Sequence, residues 1–130
     1  MRTLAIVVTL FVVSAAQADE RFWCQDQASA GYILDPGREV GKDKSAPVAF
    51  MRTHTAMRLS GSTVYLNFSG LGEKEFTCTT ADGVMQCAGD LRFFVFDTKT
   101  RNFNLADLRG NMNGRADALV LRFGVCRQSS

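Results

Sequence analysis

Thr77-Cys78-Thr79-Thr80-Ala81-Asp82-Gly83-Val84-Met85-Gln86-Cys87 is the stretch that decides the fold class. Asp-Gly is a preferred pair for a two-residue type I′ loop, because both central residues need φ > 0. Such a loop pairs Ala81 with Val84, Thr80 with Met85, Thr79 with Gln86 and Cys78 with Cys87. Counting outward from the turn, the cysteines fall in a non-hydrogen-bonded pair, where side chains lie closer together. A disulfide fits there, and the segment predicts a stapled hairpin in an oxidised β protein.

The compartment follows from the other end of the chain. Arg2 supplies a positive start, Leu4 to Val13 is a nearly unbroken apolar run, and Ala16-Gln17-Ala18 matches the small-residue cleavage pattern of a secretory signal peptide. The run is about half the ~20 residues that a membrane-spanning helix needs. We therefore expect residues 1–18 to be a signal peptide, residues 19–130 to be a single β domain in the periplasm or outside the cell, and no stable membrane insertion. Removal of the leader takes one basic residue, Arg2, from a chain whose net charge is only +2. Arg92, Arg101, Arg109, Arg115 and Arg122 are scattered among acidic and apolar neighbours. They form no basic stripe of the kind nucleic acid requires, and are expected on the solvated surface.

Four cysteines in a short exported chain imply two disulfides. With Cys78 and Cys87 taken by the hairpin, Cys24 and Cys126 are left to each other, a bridge that ties the two ends of the domain. A thiolate metal site is not expected, because there is no Cys-x-x-Cys pair and His54 is the only histidine.

Outward from the hairpin, short runs of alternating residues recur with turn signals between them, as in an all-β sandwich or barrel. Thr55, Met57 and Leu59 share one face of a strand, as do Val64, Leu66 and Phe68 of the next. Arg21 to Cys24 reads as a short strand, followed by one helical turn over Gln27 to Ala30 that Gly31 would end. Asp35-Pro36-Gly37 predicts a β-turn, and Arg38 to Ser45 a loop. In the closing strand, Leu119, Leu121, Phe123 and Val125 are expected on the core face, which leaves Cys126 on the opposite side unless Gly124 marks a bulge that resets the alternation. About eight strands are expected, in a meander barrel or a two-sheet sandwich.

A Cys-containing first strand with Ala30-Gly31-Tyr32 after it, a Cys-to-Cys hairpin, Phe94-x-Phe96-Asp97 followed by Arg101-x-Phe103, and a closing Phe123-Gly124-x-Cys126 make up a recognisable set. The set resembles a group of small bacterial periplasmic proteins with two disulfides, a group without assigned activity. The resemblance implies the compartment and the β fold, and carries no functional residue.

No catalytic constellation emerges from the residues. His54 has no nucleophile with a matching motif, and no Gly-x-Ser-x-Gly elbow occurs. Glu73 and Glu75, at i, i+2 around Lys74, read as a solvated strand edge. Asn111-Met112-Asn113-Gly114 fails as a calcium loop, because it puts Arg109 and Val120 where acids are required. No catalytic, cofactor or metal residue is predicted.

Leu91-Arg92-Phe93-Phe94-Val95-Phe96 is apolar on both faces. With Leu91, Phe93 and Val95 in the core, Arg92, Phe94 and Phe96 would face outward. There they would be covered by the segment carrying Trp23 or Tyr32, or form an aromatic partner surface of the type enriched at interfaces. The expected function is a non-enzymatic exported binding or interaction protein, such as an inhibitor or envelope accessory factor, acting on another periplasmic or secreted protein. The alternatives are a small-ligand carrier of barrel type and a small hydrolase or isomerase with an unrecognised site.

Overall fold

The computed structural model describes residues 18–33, 47–68, 72–108 and 118–130. Residues 1–17 of the expected leader, the turn expected at Asp35–Gly37, the loop expected from Arg38 to Ser45 and the Asn111–Gly114 segment lie outside the described residues. The described residues form nine strands: β1 (Glu20–Ile33), β2 (Val48–Ala49), β3 (His54–Ser60), β4 (Thr63–Phe68), β5 (Gly72–Ala81), β6 (Val84–Gly89), β7 (Arg92–Asp97), β8 (Asn102–Asp107) and β9 (Ala118–Gln128). Each strand from β3 to β8 pairs antiparallel with its successor, and β1 pairs with both β3 and β9. The result is a closed eight-stranded meander barrel rather than a sandwich, with β2 as an extra strand beside Ala30 and Gly31 of β1.

The stapled hairpin has the register its sequence predicts, from Ala81↔Val84 out to Cys78↔Cys87. Asp82 and Gly83 both have positive φ, 53° and 84°, as the type I′ loop demands. The Cys78 amide donates to the Ser62 carbonyl in the β3–β4 turn, 3.0 Å away, rather than to Cys87. Both disulfides, Cys78–Cys87 and Cys24–Cys126, join directly opposed residues of neighbouring strands. The second bridge closes the ring between its first and last strands.

Three expectations are corrected. The helical turn over Gln27 to Ala30 is absent, because β1 runs through it with a register shift between Asp26 and Ala28. That shift is the β-bulge, and it lies opposite Gly124 rather than in β9. A Cβ on Gly124 would sit 2.0 Å from the Gln25 carbonyl oxygen and 2.8 Å from the Phe103 ring. The glycine is needed because the bulged strand presses on it, a common reason for glycine in strands.

The second correction is to β9, whose face is the reverse of that expected. Cys126 is inward to reach Cys24, so Val120, Arg122 and Gly124 turn inward with it, and Leu121 and Phe123 are exposed. Strand β7 is reversed in the same way, which is the third correction. Its partners Met85 and Cys87 are core residues of the hairpin, and they sit opposite Phe96 and Phe94. Directly opposed residues share a face, so Phe94 and Phe96 are buried at 2% and 1% exposure, while Phe93 is 54% exposed. Arg92, Phe94 and Phe96 are therefore not a partner surface.

The interior is packed with side chains. Phe94 stacks on Phe96 and Phe103, with centroids 6.3 and 5.9 Å away, and Phe22 meets Phe96 edge-on at 5.4 Å. Val64, Leu66 and Phe76 have no exposed surface. An eight-stranded barrel is just wide enough for side chains to fill, and this one is filled through its middle.

Candidate functional site

One end of the barrel interior is polar. Arg92, at the first position of β7, points inward and is only 1% exposed. Its Nε donates to Asp107 Oδ2 at 3.0 Å, its Nη1 to Asp90 Oδ2 at 2.5 Å, and its guanidinium lies 4.5 Å from the centre of the Phe68 ring across the barrel. Burying a guanidinium is tolerated only when it is paired and hydrogen-bonded, and these three neighbours meet that condition. Beside it, Asp26, 3% exposed, accepts hydrogen bonds from the Thr53 amide and hydroxyl and from Arg122. Arg122 also bonds the Thr53 hydroxyl. These ion pairs join β1, β7, β8 and β9 at the end where the chain leaves β1, β4 and β8. Each of the three carboxylates, Asp26, Asp90 and Asp107, is engaged by an arginine. Among the described residues no group of His, Cys, Asp and Glu is arranged to hold a metal ion.

The outside of the barrel divides into two halves. On β3 to β6 the outward residues are mostly polar, among them Arg58, Asn67, Glu73, Glu75, Thr77, Thr79 and Gln86, with Ala56, Val84 and Ala88 between them. Arg58 lies 3.9 Å over the Tyr65 ring and bonds both Asp19 and Glu73. The Glu73 hydrogen bond is the main cause that holds the guanidinium above its ordinary value. A bond with Ser60, and then one with Arg58, holds Asp19 below the usual carboxylate range. A shallow depression of about 270 Å³ here is lined in part by Trp23, Ala56, Asn67 and Glu73. His54 is exposed and stacked on Trp23 at 5.2 Å. Glu75 is exposed, as its sequence setting predicts.

The other side, over β7, β8, β9 and β1, carries an apolar patch bordered by Asp97, Asn102, Gln25 and Arg127. Strand register lines its outward residues into rows. Phe93 opposes Ala106, Ala106 opposes Leu121, and Leu121 opposes Ala30. One row further along, Val95, Asn104, Phe123 and Ala28 stand side by side. On the other flank Leu119 opposes Tyr32, and the Leu108 amide donates to the Leu91 carbonyl. Of these twelve positions none is charged and Asn104 alone carries an amide. Leu91, Phe93, Leu121 and Phe123 are each half exposed or more. Isolated exposed apolar residues are ordinary on a folded protein, whereas these form a contiguous patch.

Leu91 adds a second signal. It is the second residue of the tight β6–β7 turn with φ 55°, following Asp90 at φ 50°. Gly, Asn and Asp suit such positions, and a bulky residue there is an outlier. An exposed leucine in a left-handed turn is unfavourable for both backbone and solvation, and such outliers cluster where function requires them.

Comparison with protein-family models, with curated proteins and with solved structures finds no match. Sequence reasoning put a partner surface on β7 at Arg92, Phe94 and Phe96, and these residues are buried. The exposed ones were recoverable from the cysteines: Cys87 and Cys126 must point inward, and their parity assigns the faces of β7 and β9.

Proposed function

We propose that the protein is a non-enzymatic interaction protein of an exported, oxidising compartment, and that the outer face of β7, β8, β9 and β1 is its working surface. The observation that carries this reading is the uncharged apolar face itself, with Leu91 in a strained turn at its corner. The two disulfides fit an oxidising compartment, and the leader-like first eighteen residues support export. A surface of this kind suits an inhibitor or an envelope accessory factor, which act by covering another protein. The carrier alternative is disfavoured by an interior already filled by Phe76, Phe94, Phe96 and Leu66. A membrane-spanning barrel is disfavoured by the charged outer half, since charges on a lipid-facing strand are costly.

Site-specific photo-cross-linking in cells expressing the full chain tests the reading. A photoreactive phenylalanine analogue at position 93 or 123 is expected to give discrete protein adducts, and the same analogue at Thr79 on the polar half is not. An absence of adducts from the apolar half, or equal adducts from both halves, would remove the basis for the proposal.

A further inference from the structure

The occupant of the apolar face can be argued further from its shape, an inference that rests on the interaction reading above. The face is ridged. On β7 and β9 the outward residues are large, Leu91 and Phe93 on one and Leu121 and Phe123 on the other. Between them β8 presents Asn104 and Ala106, with Asn102 beyond one end of the row and Leu108 just past the strand at the other. The register places Ala106 directly between Phe93 and Leu121, so β8 forms the floor of a trough walled by two rows of large side chains. Strands spaced about 4.8 Å apart make that trough roughly 10 Å wide from ridge to ridge, the width that one row of leucine and phenylalanine side chains fills.

We propose that this face is the two-fold interface of a homodimer, with the β9 ridge of each copy seated in the β8 trough of the other. A two-fold contact uses the same patch on both copies, so the patch must be self-complementary. A ridge beside a trough of matching width meets that demand. Absence of charge matters equally, because an uncharged face rotated onto itself brings no like charges together.

The area agrees. Tyr32, Leu91, Phe93, Leu108, Leu121 and Phe123 are each between 40% and 63% exposed. At about 200 Å² for a large apolar side chain they leave on the order of 600 Å² uncovered. With the small residues between them, the patch approaches the ~800 Å² per partner of a specific interface. A lipid surface fits less well. The rows span five strand residues, about 17 Å, short of the ~25 Å apolar band of a barrel in a membrane.

Sedimentation equilibrium of the oxidised, leader-free protein tests the inference. Wild type is expected to show the mass of two chains at high micromolar concentration and to dissociate on dilution. Ala106→Glu fills and charges the trough, and Leu121→Glu charges the ridge; both are expected to sediment as single chains with unchanged melting temperatures in dilute solution. Thr79→Glu, on the polar half, is expected to remain dimeric. A single-chain mass for wild type up to hundreds of micromolar overturns the inference, as does a dimer that survives both face substitutions. A large fall in melting temperature in both face variants without a change of mass also overturns it, because the chain's own segments would then cover the face. So does monomeric wild-type protein that floats with phosphatidylethanolamine–phosphatidylglycerol vesicles. Monomeric protein that still gives adducts with other exported proteins from position 93 ends the homodimer but leaves the interaction reading standing. Monomeric protein with no adducts ends both.

Discussion

Arg92 shows how a single residue can mislead a reading of faces. Its charge argues for the outside of β7, yet it is the most deeply buried charged group among the described residues and is held by Asp107, Asp90 and the Phe68 ring. Removing one partner from a buried ion pair strands the others. Arg92→Ala is therefore expected to lower stability by about 3 kcal/mol, and urea denaturation measures it; a change within about 0.5 kcal/mol, the range of an ordinary surface substitution, would contradict the burial. Asp97 offers a test by pH. Its carboxylate accepts the amides of Thr100 and Lys99 in the β7–β8 turn, and these bonds, Thr100 first, hold it below its ordinary value of 3.8. A lowered folded-state value means that the stabilisation is present above the ordinary carboxylate range and is lost as pH falls through the folded value. Asp97→Ala should thus melt below wild type at neutral pH, with the gap closing as the pH drops under 3.8. A gap independent of pH would show that the turn bonds do not depend on the charge.

At the scale of the strand, the hairpin of β5 and β6 was legible to the residue. Asp-Gly and two cysteines specify turn, register and bridge with local chemistry alone. Strands β3 and β4 were legible as well, because Met57, Val64, Leu66 and Phe68 alternate with polar neighbours. Strands β7 and β9 were not, because both of their faces are apolar and alternation cannot choose between two apolar sides. Long-range pairing chose, through Cys87 opposite Phe94 and Cys24 opposite Cys126. The bulge at Asp26 to Ala28 was misread as a helical turn, since Asp26 followed by Gln27 and Ala28 carries local helix-start chemistry that the β9 pairing overrides. Adjacent phenylalanines provide the test of orientation. Phe94→Ala is expected to cost about 3 to 5 kcal/mol as a buried aromatic, and Phe93→Ala less than about 1 kcal/mol as an exposed one. The opposite order would restore the faces that alternation suggests.

The whole molecule is a ring closed by one covalent bond and braced by another. Cys24–Cys126 spans 102 residues and Cys78–Cys87 spans 9. In the chain-entropy model the longer loop contributes about 4.7 kcal/mol and the shorter about 2.7. The double replacement of Cys24 and Cys126 by Ser should accordingly destabilise more than that of Cys78 and Cys87, as measured by equilibrium unfolding; equal losses would mean that loop closure is not what the terminal bridge supplies. On this ring the outside carries a largely polar side and an apolar patch, and the proposal is that the patch serves association and not the folding of one chain. Thermal unfolding of the Phe93→Ser, Phe123→Ser double variant in dilute solution tests that claim most directly. The expected result is a melting temperature within a few degrees of the wild-type monomer, because both side chains already face solvent; cooperative unfolding at a much lower temperature would show that the fold itself depends on them, and would overturn the assignment of the patch to association.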